Sequence, residues 1–317
     1  MPTSARVPKV SVIGAGGVGS SLAYAALIKG VARYVVLHDI NAKKVRAEAL
    51  DMAHGSQFFP QATVEGSDDV EITRDSDIVV VTAGAKQKPG ETRMDLAHST
   101  VNLMKKVIPP LVERSPEAIF LMVTNPVDVV THAALKISGL PPNQVFGSGT
   151  VLDSSRLRYL VAHACGVAVR NVHAYILGEH GDSQIPIWSS ATIGGVPLLD
   201  WERMTGLLGE SVRDAIADDV VNAAYEVIAG KGATNYAIGL AGTEIIEAVL
   251  RNEHRVMPVS ALLDDWYGIK DVCMAVPTVV DRQGVGRSLR QPLQDGELGA
   301  LHDSAQVIRA TLSELGF

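Results

Sequence analysis

The sequence predicts an α/β fold, in which a doubly wound parallel sheet is followed by a second, mixed α+β domain. Short apolar runs alternate with helix-compatible stretches in the first half, and a glycine-rich turn joins the first run to the first helix. This alternation ends near residue 150. We therefore expect one domain over residues 1–149 and a second over residues 150–317.

Each half of the chain has its own pattern. The strand-like runs of the first half cover residues 9–13, 34–37, 78–82, 119–124 and 145–146. In the second half we expect helices over 153–165, 211–229, 235–250 and 303–315, strands over 172–177 and 191–196, and a strand-rich segment over 256–280. Because helices between strands are typical of βαβ units, we expect the first sheet to be parallel.

Composition excludes several classes of function. The chain has 317 residues, 47% of them hydrophobic, and a net charge of −7 without a basic stripe, which argues against nucleic acid as a partner. It contains neither a signal-peptide pattern nor a stretch of the ~20 apolar residues that a membrane helix needs, so we expect a cytoplasmic protein. Cys165 and Cys273 lie far apart, so neither a disulfide framework nor a metal site is expected.

A dinucleotide-binding motif follows the first strand. Gly14, Gly16 and Gly19 have the G-x-G-x-x-G spacing, and they lead into a helix whose first amides can bind a pyrophosphate. Asp39 stands at the end of the next strand, 20 residues beyond Gly19, where a carboxylate accepts the ribose hydroxyls and repels a 2′-phosphate. We therefore predict a Rossmann-type domain that binds NAD rather than NADP. The alternative is a glycine turn beside a solvated aspartate.

A glycine-flanked turn at residues 178–183 contains His180, a candidate acid/base because imidazole titrates near neutral pH. A surface or packing histidine is the alternative. Asp153 and Arg156 are three residues apart and would share one helix face. The carboxylate could orient His180 and the guanidinium could hold a substrate carboxylate by two hydrogen bonds, although an ordinary surface ion pair has the same spacing.

A polar loop at residues 84–93 follows the third strand and contains two glycines and a proline. At the carboxyl end of a parallel strand such a loop could close over a ligand. A solvated connecting loop is the alternative.

These motifs together resemble those of the NAD-dependent lactate/malate dehydrogenase family along nearly the whole chain, and most closely its bacterial lactate dehydrogenases. The matching segments are residues 14–19, 82–84, the loop to residue 93, 124–126, 147–150, 152–156 and 178–183. The sequence departs from the family pattern at Val151, where asparagine is common. This departure concerns local hydrogen bonding rather than the chemistry.

The resemblance implies a role for each residue of the site. His180 would donate and accept the proton, Asp153 would orient it, and Arg156 would bind the substrate carboxylate. Arg93 would arrive with the closing loop and polarise the ketone. Asn125 would contact both substrate and cofactor, and Thr234 the substrate. The cofactor positions implied are Gly14, Gly16, Val18, Gly19, Asp39, Gly84, Asn125, Ser148 and Ile238.

Gln87 determines the expected substrate. Malate dehydrogenases that resemble this family carry arginine at the position, where it pairs with a second carboxylate, whereas lactate dehydrogenases carry glutamine. Because a buried carboxylate without a cation is costly, Gln87 favours pyruvate/lactate over oxaloacetate. Malate or another 2-hydroxy acid is the nearest alternative substrate. A noncatalytic NAD-sensing module is another, but it would not need Arg93, Asp153, Arg156 and His180 together.

Arg158 and His173 match positions that line a fructose 1,6-bisphosphate site at a subunit interface in allosteric members of the family. The resemblance therefore implies a homotetramer activated by that sugar, since a two-fold axis would double the two cationic groups. Otherwise Arg158 caps a helix and His173 lies in a strand.

Overall fold

The structure, a computed structural model, describes residues 7–85 and 92–317. It divides into two compact units. Unit 1 comprises Met1–Ser148, Asn235–Arg255 and Val280–Gly286, and unit 2 comprises Gly149–Thr234, Val256–Val279 and Arg287–Phe317. Two segments from the expected second domain thus pack with unit 1. We predicted that residues 1–149 bind NAD and that residues 150–317 bind the substrate. This assignment of ligands to the two domains stays a prediction.

Unit 1 is built on a parallel sheet. Its strands are β1 (Lys9–Ile13), β2 (Tyr34–His38), β3 (Thr63–Ser67), β4 (Ile78–Val81), β5 (Ile119–Met122) and β6 (Val145–Gly147), in the order β3-β2-β1-β4-β5-β6. The register of each neighbouring pair is parallel. The strand order reverses between β1 and β4, where ligands bind beyond the carboxyl ends of such strands.

Helices connect these strands, as expected for βαβ units. They are α1 (Gly17–Lys29), α2 (Ala42–His54), α3 (Arg93–Arg114) and α4 (Val127–Ser138), with a short 3-10 turn at Val70–Thr73. Central strands such as β4 (IVVV) are buried at every residue, because helices cover both faces of a doubly wound sheet.

Helix α8 (Tyr236–Leu250) packs against α1 although more than 200 residues separate them. A Cβ placed on Gly239 would lie 2.9 Å from the Ser21 backbone, and one on Gly242 would lie 2.5 Å from Leu22. This close approach explains why residues 235–255 belong to unit 1.

Unit 2 is mixed α+β. An antiparallel sheet contains β7 (Val172–Leu177), β8 (Ile185–Ile193) and β9 (Val196–Pro197). Its helices are α5 (Val151–Cys165), α6 (Leu198–Thr205), α7 (Glu210–Lys231) and α9 (Asp295–Glu314), with a 3-10 turn at Val169–Asn171. An apolar cluster that includes Leu157, Ile176 and Val220 joins α5, β7 and α7. The predicted parallel sheet and second mixed domain are confirmed.

Three further strands, β10 (Arg255–Leu262), β11 (Cys273–Asp281) and β12 (Gly284–Ser288), are consecutive neighbours. The first two correspond to the strand-rich segment predicted over 256–280, and β12 lies beyond it. The boundary between the units crosses them. Of the helices in residues 7–85 and 92–317, none is both long and apolar enough to cross a membrane.

Some elements differ from the expectation. Strand β3 and helix α6 were not predicted, and α9 begins at Asp295 rather than at residue 303. The sequence of β3, TVEGS, lacks a buried run because this strand lies at the edge of the sheet. Helix α9 starts early because Gln294 and Glu297 form a reciprocal capping box, which offsets the two glycines of its first turns.

Candidate active site

The turn between β1 and α1 is built for close contact. Gly14 has φ of +100°, a conformation that side chains disfavour. A Cβ on Gly19 would lie 1.9 Å from the Gly14 carbonyl oxygen, so only glycine allows α1 to approach the strand this closely. The Thr82 hydroxyl fixes the turn by donating to the carbonyl oxygens of Ile13 and Gly14, each at 3.0 Å.

This turn has the features that a dinucleotide requires. A Cβ on Gly16 would meet no heavy atom within 4 Å, so the space beside the first turn of α1 is open to a phosphate. Asp39 follows β2, and its carboxylate accepts hydrogen bonds from the backbone nitrogens of Ala15 (2.8 Å) and Asn41 (2.9 Å). The carboxylate is therefore held beside the turn. These residues fit the pyrophosphate and adenine ribose of NAD.

The other cofactor positions expected in unit 1 lie on several elements. Ser148 follows β6, is buried, and donates its backbone N–H to the Met122 carbonyl at 2.8 Å. Asn125 follows β5 and is exposed. Val18 and Ile238 are half-buried on α1 and α8, and Gly84 follows β4.

A buried polar cluster of unit 2 centres on Asp153. This residue lies in the first turn of α5 and is 2% exposed. Its Oδ2 lies 2.6 Å from Nδ1 of His180, and its Oδ1 accepts a hydrogen bond from Nη1 of Arg156 at 2.7 Å. The buried carboxylate of Asp153 thus contacts both His180 and Arg156. The alternative of an ordinary surface ion pair between Asp153 and Arg156 does not describe this cluster.

Opposing effects act on the pKa of Asp153. Burial favours the neutral acid and by itself raises the pKa. The charges and hydrogen bonds of His180 and Arg156 outweigh burial and hold the pKa below its usual value of 3.8. Asp153 is therefore ionised at neutral pH, and its negative charge stabilises a protonated imidazole at His180.

The turn that contains His180 is anchored to the sheet. Gly178 follows β7 and forms a two-way bridge with Ala275 of β11, with N···O distances of 3.0 and 3.1 Å. The Ser154 hydroxyl of α5 accepts a hydrogen bond from the Ile176 backbone nitrogen at 2.9 Å. The helix that supplies Asp153 and the strand that leads to His180 are therefore tied together.

Arg158 and His173 also lie in unit 2. Nε of Arg158 donates to the Ala174 carbonyl at 2.9 Å, and its guanidinium lies 5.0 Å from the centre of the Tyr175 ring. His173 is exposed on β7, next to Ala174. Arg158 therefore contacts the short stretch of β7 that contains His173. Thr234 is half-buried, and its hydroxyl lacks a hydrogen-bond partner among the described residues.

Two residues predicted for the site fall outside this description. Gln87 lies outside the described residues, and so does the side chain of Arg93. The backbone of Arg93 is the first residue of α3, where Thr92 and Asp95 form a capping box.

Sequence reasoning missed three polar residues that support these sites: Thr82, Asn235 and Ser304. Asn235 donates from Nδ2 to the hydroxyl of Ser21 on α1 at 3.1 Å. Ser304 contacts the His180 turn from α9. It occupies a core position in the apolar stripe of α9, and a serine at such a position is the signal that could have identified it.

Two family models together match nearly the whole chain. The model of the lactate/malate dehydrogenase NAD binding domain matches residues 8–147. The model of the lactate/malate dehydrogenase alpha/beta C-terminal domain matches residues 150–315. The expectation of a Rossmann-type domain with NAD as its cofactor is confirmed.

Curated relatives give the same assignment. The chain is 55% identical to the L-lactate dehydrogenase of Bifidobacterium animalis subsp. lactis (strain AD011) over 311 residues, which cover 98% of this chain and 97% of the relative. It is 47% identical to the L-lactate dehydrogenase of Synechococcus sp. (strain JA-3-3Ab) over 309 residues, which cover 97% and 99%.

Solved structures share the fold. A minor L-lactate dehydrogenase from Enterococcus mundtii, in a ligands-bound form, has a TM-score of 0.94 and 39% identity, covering 97% of this chain and 98% of that one. A lactate dehydrogenase from a Medee basin deep-sea metagenome library has a TM-score of 0.95 and 38% identity, covering 98% and 100%. The predicted class of enzyme, an NAD-dependent dehydrogenase, is confirmed. The chain belongs to the lactate/malate dehydrogenase family.

Proposed function

We propose that this enzyme is an L-lactate dehydrogenase, which reduces pyruvate to L-lactate with NADH and catalyses the reverse reaction with NAD. The observation that carries the proposal is the Asp153 carboxylate, which contacts His180 through one oxygen and Arg156 through the other. In this proposal a proton donor, His180, and a carboxylate-binding group, Arg156, share one buried anchor. The L-lactate dehydrogenases among its relatives support the same assignment.

Each residue of the cluster has a distinct chemical task. The guanidinium of Arg156 binds the pyruvate carboxylate by two parallel hydrogen bonds. Asp153 holds Nδ1 of His180, so Nε2 is the ring nitrogen that gives its proton to the carbonyl oxygen. Bound NADH supplies the hydride. In lactate oxidation His180 takes the hydroxyl proton, and Asp153 stabilises the resulting imidazolium.

Gln87 supports pyruvate rather than oxaloacetate as the substrate. A neutral amide cannot balance the second carboxylate of oxaloacetate, whose burial without a cation is costly. Arg93, at the start of α3, is proposed to polarise the substrate carbonyl. Both assignments come from the sequence alone.

An NADH-oxidation assay with pyruvate and oxaloacetate at equal low concentrations tests this proposal. We expect a higher kcat/KM for pyruvate. Faster turnover of oxaloacetate would instead identify a malate dehydrogenase. NADH binding without turnover of either keto acid would identify a noncatalytic NAD-binding protein. We further expect the Gln87→Arg variant to shift the substrate preference from pyruvate towards oxaloacetate, because the arginine supplies a cation for the second carboxylate of oxaloacetate.

We also propose that the enzyme is a cytoplasmic homotetramer activated by fructose 1,6-bisphosphate through Arg158 and His173. Arg158 is anchored to Ala174 through Nε, which leaves its planar fork oriented by the backbone. The neighbouring His173 is exposed and can add a second cation when protonated. Arginine forms bidentate hydrogen bonds with phosphate, so a phosphate group suits such a pair.

Titration of the sugar bisphosphate at subsaturating pyruvate tests the regulatory site. We expect a fall in the apparent KM for pyruvate in the parent enzyme and no fall in the Arg158→Gln variant. Arg170→Gln removes an exposed arginine from the same unit and should keep the response. Light scattering in the same buffers reports the oligomeric state. An unchanged KM in the parent enzyme would exclude activation.

A further inference from the structure

Ser304 of α9 connects to the His180 turn at two points. The backbone N–H of Glu179, the residue directly before His180, donates to the Ser304 hydroxyl at 2.8 Å. The Ser304 hydroxyl also lies 3.0 Å from the hydroxyl of Ser183, which closes the same turn. Ser304 itself is completely buried. The buried hydroxyl of Ser304 thus contacts the turn both before and after His180, although α9 lies more than 100 residues further along the chain.

The direction of each hydrogen bond follows from the donors present. The Ser183 hydroxyl donates to the Glu179 carboxylate, which has no proton to give when ionised. Its only hydrogen is then in use, so Ser183 must accept from Ser304. Ser304 in turn accepts from the Glu179 backbone N–H. These bonds form a closed ring that begins and ends on Glu179.

Such a ring constrains the backbone of the turn. Each hydroxyl in it both donates and accepts, which strengthens the neighbouring hydrogen bonds. Replacing Ser304 by an apolar residue would leave the half-buried Glu179 without the acceptor of its backbone N–H, and Ser183 without its donor. The Gly178–Ala275 bridge fixes the turn where it leaves β7, and the Tyr225 hydroxyl bonds to Asp182 at 2.8 Å. Ser304 adds a restraint on Glu179 and Ser183, on either side of His180.

We propose that Ser304 is a positioning residue for His180, because its hydroxyl completes the ring that fixes the turn and keeps Nδ1 of His180 on Asp153. The inference rests on the proposed acid/base role of His180. A displacement of about 1 Å at a reacting group can lower a rate about 100-fold, so a positional restraint of this kind affects turnover directly. The residues of this ring all belong to unit 2, whereas the dinucleotide-binding turn belongs to unit 1.

The variants Ser304→Ala, Ser183→Ala and the double variant test the proposal. We expect Ser304→Ala to lower kcat for pyruvate reduction by about 10- to 100-fold, while the dissociation constant of NADH stays the same. Because both hydroxyls belong to one ring, the loss in the double variant should be clearly smaller than the product of the two single losses. Thermal unfolding of each variant checks that it is folded.

Ser189→Ala is the matched control. The Ser189 hydroxyl of β8 also bonds to α9, through the carboxylate of Glu297, but it does not contact the His180 turn. A variant that merely loosens α9 should therefore resemble Ser189→Ala, with a lower melting temperature and a normal kcat.

The results separate two kinds of failure. If the parent enzyme does not oxidise NADH with pyruvate, the proposed function itself is wrong. If the parent enzyme is active and folded Ser304→Ala keeps its kcat, the positioning role is wrong. Multiplicative losses in the double variant would also overturn it. Should Ser304→Ala not fold, Ser183→Ala decides alone, since a normal kcat there contradicts a ring that positions His180.

Discussion

The Oδ2 atom of Asp153 lies 2.6 Å from Nδ1 of His180, while Oδ1 of the same carboxylate lies 2.7 Å from Nη1 of Arg156. The arrangement fixes the imidazole and the guanidinium with respect to each other. A planar keto acid needs a donor at its carbonyl and a fork at its carboxylate, so a shared anchor sets the spacing of both.

Asp153→Asn should lower kcat strongly while substrate and cofactor still bind. The amide is close to the carboxylate in shape, but it removes the negative charge that stabilises the imidazolium and can favour the wrong tautomer of His180. We expect kcat to fall by roughly 100- to 10,000-fold, measured by steady-state NADH oxidation.

Asp200→Asn provides the control for this variant. Asp200 pairs with Arg203 across the same i,i+3 spacing on α6, but the two side chains are 42% and 77% exposed. Exposed pairs contribute little, so this variant should behave as the parent. An unchanged kcat in Asp153→Asn would refute the orienting role of Asp153.

Arg156→Lys should raise the KM for pyruvate. Lysine keeps the charge but replaces a planar fork with a point charge, so one of the two hydrogen bonds to the substrate carboxylate is lost. A hydrogen bond to a charged group is worth about 1.5–3 kcal/mol, which corresponds to a rise of about 10- to 100-fold. Arg203→Lys, at an exposed arginine, is the control. A parent-like KM in Arg156→Lys would exclude carboxylate binding by this residue.

Asp39→Asn should weaken the preference for NADH over NADPH. The carboxylate accepts from two backbone nitrogens, and we expect its negative charge to repel a 2′-phosphate. An amide accepts through one oxygen only and is neutral. We expect the ratio of kcat/KM values for NADH and NADPH to fall by about tenfold, equal to about 1.4 kcal/mol. Asp51→Asn, at an exposed position on α2, should keep the ratio. If NADPH already serves the parent enzyme as well as NADH, Asp39 does not discriminate.

The sequence predicted the parts of the fold that follow from short-range patterns. The glycine turn and the central strands are examples, because buried parallel strands form continuous apolar runs. Strand β3 escaped prediction, since an edge strand with the sequence TVEGS has no such run. The packing of α8 on α1 was not predicted either, because Gly239 and Gly242 in the sequence do not indicate which helix they will contact.

The candidate site was predictable in its residues but not in its contacts. Spacing placed Asp153 and Arg156 on one helix face, yet the second contact of Asp153, to His180, joins positions 27 residues apart. The burial of Asp153 distinguishes this cluster from a surface ion pair, and burial depends on the tertiary packing of α5. The ring of hydrogen bonds at Ser304 also depends on tertiary packing. Ser304 lies 121 residues or more beyond the two residues of the turn that it contacts, Ser183 and Glu179.

An ion-pair cluster at the far end of α1 gives a prediction about stability. The Lys29 ammonium donates to Glu244 and, at 3.0 Å, to Glu247, whose side chain is 8% exposed. Partial burial alone would lower the pKa of Lys29, but the hydrogen bonds and charges of the two carboxylates outweigh it and raise the pKa above the ordinary 10.5. The folded state therefore binds this proton more tightly than the unfolded state does.

Because the pKa of Lys29 is raised on folding, its contribution to stability is complete below pH 10.5 and is lost as the pH rises through the folded pKa. Lys29→Met should lower the free energy of unfolding by roughly 1–3 kcal/mol at pH 8. Urea unfolding at pH 8, 10 and 11.5 should show the gap between parent and variant narrowing only at the highest pH. Lys43→Met, at an exposed lysine of α2, should show no gap at any pH. A gap between parent and Lys29→Met that stays constant up to pH 11.5 would mean that the charge of Lys29 does not account for the difference in stability.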